Sequence, residues 1–162
     1  MDFLEQLKQE VETHGAQEID FKSRRFQHGR DLARTYIDII KDEARLAVRS
    51  GGYEKVGDEI VIYGFCRLTE RDFDVPPVQM HRKQSFWTGK WSEEYTLTQG
   101  NDLFEAFQTS FAEFCQQEHI VCEAFQAKIR KKDGRTVCQS FPVTITAPDV
   151  LEGLGFPFKI RL

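Results

Sequence analysis

The stretch VCEAFQAKIRKKDGRTVCQSFPVTI, residues 121–145, decides the fold class because it predicts an antiparallel hairpin in one definite register. Alternating apolar residues lie on both sides of the polar segment KKDGR, and residues opposite each other in a hairpin must share a face. A two-residue turn would place Ile129 opposite Cys138, on the wrong face. We therefore expect a three-residue loop, 132–134, with Ile129 opposite Val137 and Gly134 in the left-handed conformation.

The same register assigns the rest of the hairpin. It places Phe125 opposite Phe141, so that both rings point toward one core. The residues expected on the core side are Val121, Phe125, Ala127 and Ile129 in the first strand, and Val137, Phe141, Val143 and Ile145 in the second.

Three helices are predicted outside this hairpin. Residues 2–13 carry an apolar side that Gly15 should end, and a second helix should run from an N-cap at Asp31 to the stop at Gly51-Gly52. The basic segment 22–30 would connect them. The third helix should begin at Asn101 or Asp102, and its apolar face is a stripe of phenylalanines at spacings of three and four. These are Phe104, Phe107, Phe111 and Phe114.

Further strands are predicted in the middle and at the end of the sequence. Residues 59–68 are rich in β-branched residues, and 83–98 should form two short strands broken near Gly89. Pro76-Pro77 limits 75–78 to a loop or an edge, and 153–162 should add an edge strand. Because strands occur in runs, we expect one α+β domain over 1–162, a mainly antiparallel sheet with about three helices packed on it.

Composition and charge limit the classes of function. The 162 residues carry a net charge of −4 and four cysteines without disulfide-framework spacing. No apolar run approaches the ~20 residues of a membrane span, and the acidic N-terminus does not resemble a signal peptide. We therefore expect a cytoplasmic protein with reduced thiols and no membrane contact.

The sequence contains no motif that predicts a catalytic, cofactor-binding or metal-binding site. Cys115, His119 and Cys122 are close in sequence, but they form one irregularly spaced group, whereas structural zinc sites usually combine two closely spaced pairs of ligands. The triplet Asp20-Phe21-Lys22 superficially resembles the metal-binding strand of restriction-like nucleases, yet no preceding strand supplies the second carboxylate. The prediction is no cofactor, no metal and no identifiable catalytic residue, although a triad assembled in space leaves no sequence signature.

Basic clusters interleaved with aromatic residues are the strongest remaining signal. One lies at 22–34, a second at 81–91 and a third at 128–135. If two of them converge, they would form a surface that binds phosphates and stacks bases. The candidate contact residues for nucleic acid or a protein partner are Arg24, Arg25, Arg82, Lys83, Trp87, Trp91, Lys131 and Lys132.

Three hypotheses of function follow. The leading one is a small cytosolic binding or regulatory protein that acts through contacts with another protein and has no catalytic activity. The alternative is a nucleic-acid-binding protein that uses the basic clusters and their aromatic neighbours. The third is an enzyme whose catalytic residues are dispersed along the chain.

Overall fold

Residues 3–50 form one continuous helix instead of the two that the sequence predicts. A computed structural model describes residues 2–162, and in it α1 spans Phe3–Ser50. Asp2 caps its start by accepting a hydrogen bond from the Glu5 N–H at 2.8 Å. Gly51, with φ of 75°, ends it as predicted because a left-handed residue is favoured there. The expected loop at 22–30 is helical, so the structure has two α-helices rather than about three.

The second helix, α2, spans Asp102–Gln117, and its first residue decides which of the two predicted residues is the N-cap. Asn101 is the N-cap, since its Oδ1 accepts a hydrogen bond from the Phe104 N–H at 3.1 Å. The phenylalanine stripe of α2 is buried over its whole length, as predicted. A single 3-10 turn at Glu70–Asp72 precedes the second half of the chain.

Nine strands form two antiparallel sheets. They are β1 (Glu54–Val56), β2 (Glu59–Arg67), β3 (Val78–Gln84), β4 (Trp91–Leu97), β5 (Ile120–Cys122), β6 (Gln126–Arg130), β7 (Thr136–Ser140), β8 (Val143–Thr146) and β9 (Val150–Arg161). The larger sheet has the order β1-β2-β9-β6-β7, with β5 also paired to β9. The smaller one has the order β3-β4-β8. The α+β class with antiparallel sheets is therefore confirmed.

The central strand of the larger sheet is β9, which the sequence predicts as an edge strand. One side of β9 pairs with β2 from Gly155 to Arg161. Its other side pairs with β6 in its first half and with β5 in its second half. Phe156 and Phe158 are buried, because β9 lies in the middle of the sheet and not at its border.

The 121–145 hairpin keeps its predicted register and loop but is divided between the two sheets. Ile129 pairs with Val137, and Gly134 has a φ of 84°. The rings of Phe125 and Phe141 stack with centroids 5.3 Å apart. The second predicted strand splits into β7 and β8, and β8 joins β4 in the smaller sheet. Val121 is wrongly predicted as a core residue, since it lies on the separate strand β5 and is 51% exposed.

Candidate functional site

The N-terminal part of α1 extends beyond the packed body of the protein. Residues 3–24, here called the arm, are exposed on all sides except for a half-buried Gly15. At 1.5 Å per residue they form a helix about 33 Å long. The buried residues of α1 begin only at Gly29, and they pack this later part of the helix against α2.

A stripe of four apolar residues, with Lys8 and Lys22 between them on the same side, runs along the arm, and no other element of residues 2–162 packs against it. Leu4, Val11, Ile19 and Phe26, the last just beyond the arm, are 66, 71, 71 and 49% exposed. At 3.6 residues per turn they lie within about 40° of the direction of Ala33, which is fully buried in the core. The stripe therefore continues the core-facing side of α1 into solvent. Helices gain most of their stability from packing such a face, so the arm has the features of a contact surface.

The two predicted contact residues on α1 differ in their surroundings. Arg24 is exposed on the arm and forms an ion pair with Asp20 at 2.9 Å. Arg25 binds the Asp102 carboxylate with two nitrogens and Asp74 with a third, so its side chain is only 20% exposed. These contacts raise the pKa of Arg25, first through the hydrogen bond with Asp102, and the same bond lowers the pKa of Asp102. Arg25 thus fixes the base of the arm to the loop before β3 and to the start of α2.

The turn between β3 and β4 presents two aromatic rings to solvent. Phe86 is 91% exposed and Trp87 is 90% exposed, and their rings meet edge to face with centroids 5.4 Å apart. Trp91, at the start of β4, is 54% exposed and lies beneath the Arg82 guanidinium, 5.8 Å from the ring centroid. Large apolar side chains this exposed are typical of binding surfaces when they are grouped.

The predicted basic residues of β3 are partly neutralised by their neighbours across the strand pair. Lys83 forms an ion pair with Glu94 at 2.9 Å, and Arg82 lies 3.5 Å from Glu93. Their side chains are nevertheless 62 and 63% exposed, so both can contact a ligand in solvent.

The segment 146–150 lies between β4, which adjoins the second basic cluster, and the lysines of the third basic cluster. Ser92, next to the β3–β4 turn, pairs with Thr146, and Thr146 accepts a hydrogen bond from the Asp149 N–H at 3.1 Å. Asp149 in turn binds Lys131 Nζ at 3.3 Å and accepts a bond from the Lys132 N–H at 3.1 Å. We call this end of the molecule, formed by residues 82–94, 128–136 and 146–152, the hairpin end.

The hairpin end is more basic than the molecule as a whole. It contains eight lysines and arginines and five carboxylates, whereas the complete chain has a net charge of −4. Arg24 and Arg25 do not belong to it. Arg25 binds Asp102 and Asp74, close to the opposite ends of β3 and β4.

A cavity of about 670 Å³ lies between the end of α2 and β5 and contains two of the free cysteines. Cys115 is buried and Cys122 is half-buried. A hydrogen bond between their thiols lowers the pKa of Cys115 and raises that of Cys122. Within residues 2–162 no group of three or more His, Cys, Asp or Glu side chains is arranged to hold a metal ion.

Sequence reasoning missed the arm as a surface, because it placed a helix end at Gly15 and a loop at 22–30. One signal could have found it: no proline occurs before Pro76, so nothing upstream forces the helix to break. Across residues 2–162 no helix is both long and apolar enough to cross a membrane.

Comparison of the chain with protein-family models, with curated proteins and with solved structures found no match of any kind.

Proposed function

We propose that this is a non-catalytic binding protein that acts through protein contacts made by the arm. The observation that supports this function is the unpacked apolar stripe, which continues the core face of α1 over about 33 Å of exposed helix. Recognition through an amphipathic helix that carries apolar residues on one face is a common mode of protein binding. A cytoplasmic location belongs to the same proposal, and the four free cysteines fit a reducing compartment.

Affinity capture with two matched variants tests this function. Val11→Glu combined with Ile19→Glu places carboxylates on the stripe, whereas Gln9→Glu combined with Gln17→Glu adds the same charge on the opposite side of the arm. The stripe variant should lose the proteins that the wild type binds specifically, and the control should keep them. A stripe variant that keeps every partner would overturn a role for the arm.

A second function, binding of single-stranded nucleic acid, is favoured by one specific observation. The exposed rings of Phe86 and Trp87 lie at the hairpin end, where Ser92 beside one basic turn and Lys131 and Lys132 of the other turn contact the same segment, 146–150. Aromatic rings that stack on bases beside cations that bind phosphates are the usual elements of such sites.

Fluorescence titration with an oligonucleotide tests this second function. Trp87 should be quenched by a short single strand of DNA, and binding should weaken steeply between about 50 and 200 mM salt because phosphate contacts release counterions. Trp87→Ala should remove most of the quenching, while Trp91→Ala should leave much of it. Unchanged fluorescence at low salt would rule the site out.

A further inference from the structure

A tight turn after α2 brings Cys115 and Cys122 to the same cavity. The Glu118 N–H donates a hydrogen bond to the Phe114 carbonyl at 3.0 Å, and His119 has a φ of 58°, so the chain reverses within two residues. Both cysteines line the cavity of about 670 Å³, and their thiols share a hydrogen bond. The fold therefore places two sulfur atoms in contact at the wall of a cavity large enough for a small molecule.

Regular secondary structure holds both cysteines in this arrangement. Cys115 lies on α2, where the neighbouring Phe111 and Phe114 are buried. Cys122 lies on β5 and pairs with Phe158 of the central strand β9. Because the folded chain keeps the two thiols together, a reaction between them is intramolecular and is favoured by their high effective concentration.

The walls of the cavity favour small uncharged molecules. Phe111, Phe125 and Phe156 line it, and the Phe156 ring centroid lies 4.7 Å from that of Phe111 and 5.4 Å from that of Phe125. Among residues 2–162, no lysine or arginine lines the cavity, and Glu123 contributes a carboxylate. The lining therefore offers apolar contact to a ligand and no attraction to an anion.

The contact between the thiols also gives them different roles. The hydrogen bond from Cys122 lowers the pKa of Cys115, and the same bond raises the pKa of Cys122. Because α2 ends at Gln117, the helix dipole disfavours a thiolate nearby, and the bond from Cys122 is the contact that favours the ionised form of Cys115. The thiolate is the attacking species in thiol–disulfide exchange, so Cys115 is the expected nucleophile.

We propose that Cys115 and Cys122 form a thiol–disulfide exchange site, which reacts with small uncharged organic disulfides bound in the cavity. The Cys115 thiolate attacks one sulfur of the disulfide, whose S–S bond breaks, and one half leaves as a thiolate that takes up the proton given up by Cys115. Cys122 then attacks the Cys115 sulfur, and its proton goes to the second departing half. The two cysteines lose two electrons, which reduce the disulfide to two thiols. This inference goes beyond the proposed function and is independent of the arm.

Mass spectrometry of the folded chain tests whether the bond forms. The Cys138→Ser variant, which lacks the exposed cysteine, is incubated with hydroxyethyl disulfide, and the remaining thiols are then blocked. Cleavage after Glu113 and Glu118 separates the two cysteines of the site, so that a disulfide between the resulting peptides identifies the bond. The buried Cys66 should remain a free thiol. The proposal is overturned if the two cysteines stay reduced, if they keep separate adducts, or if the bond includes Cys66.

Single variants in the same background test the two roles. Cys122→Ser should accumulate the adduct on Cys115, because the second thiol is absent while the serine hydroxyl can still donate the hydrogen bond. Cys122→Ala should react ~3-fold more slowly or less, because it has less thiolate and the higher nucleophilicity of a more basic thiol offsets this only in part. Cys115→Ser should form little adduct. Faster reaction of Cys115→Ser than of Cys122→Ser would overturn Cys115 as the nucleophile.

Access through the cavity is tested by filling it. Ala112 is exposed and lines the cavity, so Ala112→Trp should slow the reaction, whereas Gln117→Trp, on the same helix but outside the lining, should not. In the wild type, the exposed Cys138 reports how reactive each reagent is at an open surface. Relative to Cys138, the site should react faster with hydroxyethyl disulfide than with the larger, negatively charged oxidised glutathione. Equal relative rates for the two reagents would overturn the cavity as the binding site.

Discussion

At the scale of single residues, Tyr36 shows how one polar group fixes two elements. Its hydroxyl donates a hydrogen bond to Asp72 Oδ2 at 2.6 Å and accepts one from the Thr69 N–H at 2.8 Å. Burial and the bond to Asp72 raise the pKa of Tyr36 to about 12. The buried part of α1 is thereby joined to the 3-10 turn at Glu70–Asp72.

We expect Tyr36→Phe to lower the free energy of unfolding by ~1–3 kcal/mol, because it leaves the Thr69 N–H without its partner in a partly buried place. Chemical denaturation followed by circular dichroism measures this value. Tyr63→Phe is the control, since Tyr63 is 57% exposed and should tolerate the loss of its hydroxyl. Equal stability of the two variants would show that the Tyr36 hydroxyl contributes nothing.

The pairing of Arg25 with Asp102 should make stability depend on pH in the acid range. The hydrogen bond from Arg25 lowers the pKa of Asp102 below its ordinary value of 3.8 in the folded protein. The ionised pair therefore stabilises the fold above about pH 4, and this contribution is lost as the pH falls through the lowered pKa. Arg25→Gln should melt at a lower temperature than the wild type at pH 6 to 7. The difference should shrink below pH 4, and a constant difference would contradict this origin.

At the scale of elements, the two helices approach each other closely at Gly29. A Cβ built at this position would lie 2.8 Å from both the Ala106 Cβ and the Phe107 backbone nitrogen, a distance that forces the helices apart. Gly15, in contrast, has open space around the corresponding position.

Gly29→Ala should destabilise the protein by ~1–3 kcal/mol, since a well-packed contact must open to admit the methyl group. Gly15→Ala should leave the melting temperature unchanged or raise it, because alanine favours a helix more than glycine does. Thermal melts of both variants provide the comparison. A lower melting temperature for Gly29→Ala and an equal or higher one for Gly15→Ala would support the close packing at Gly29. An unchanged melting temperature for Gly29→Ala would contradict it.

The elements that the sequence predicts correctly are those specified by nearby residues. The Ile129–Val137 register follows from a local alternation and a glycine turn, and the helix stop at Gly51 follows from one residue. The continuity of α1 was missed because a lone glycine costs a helix only ~1 kcal/mol, which neighbouring turns can offset. Asp31, expected as a cap, instead accepts a hydrogen bond from Gln27 within the helix at 2.8 Å.

Features that depend on distant parts of the chain were not predictable in this way. The central position of β9 depends on its pairing with β2, about 90 residues earlier, which no local pattern encodes. For the turn between β3 and β4, the sequence indicates a basic and aromatic segment, but only the structure shows how far the Trp87 side chain is exposed. Arg25 has the same sequence signal as Arg24, yet the fold places it between two carboxylates.

At the scale of the whole molecule, Phe107 connects most of the core. Its ring contacts Tyr36 from α1, Phe73 from the loop before β3, and Phe156 from β9, with centroids 5.3, 5.4 and 6.0 Å away. It is completely buried. Both helices and the larger sheet therefore depend on the volume of this one side chain.

Phe107→Ala should cost ~3–5 kcal/mol, because a cavity remains where rings from three other segments met. Phe86→Ala is the matched control, since the same truncation at a 91% exposed position should leave the melting temperature unchanged. Calorimetry measures the melting temperature and unfolding enthalpy of both variants. Similar melting of both variants would mean that the core closes around the missing ring.

The position of β9 also sets the order in which the protein can fold during synthesis. Residues 3–50 complete α1 early. In contrast, β2, β5 and β6 all pair with β9, which is not available until residues 150–161 have left the ribosome. Until then, the edges of these strands remain open to pairing with other chains. We therefore expect the nascent chain to expose unpaired strand edges from the synthesis of β2 until that of β9. Chaperones that cover such edges should accordingly bind it during this interval.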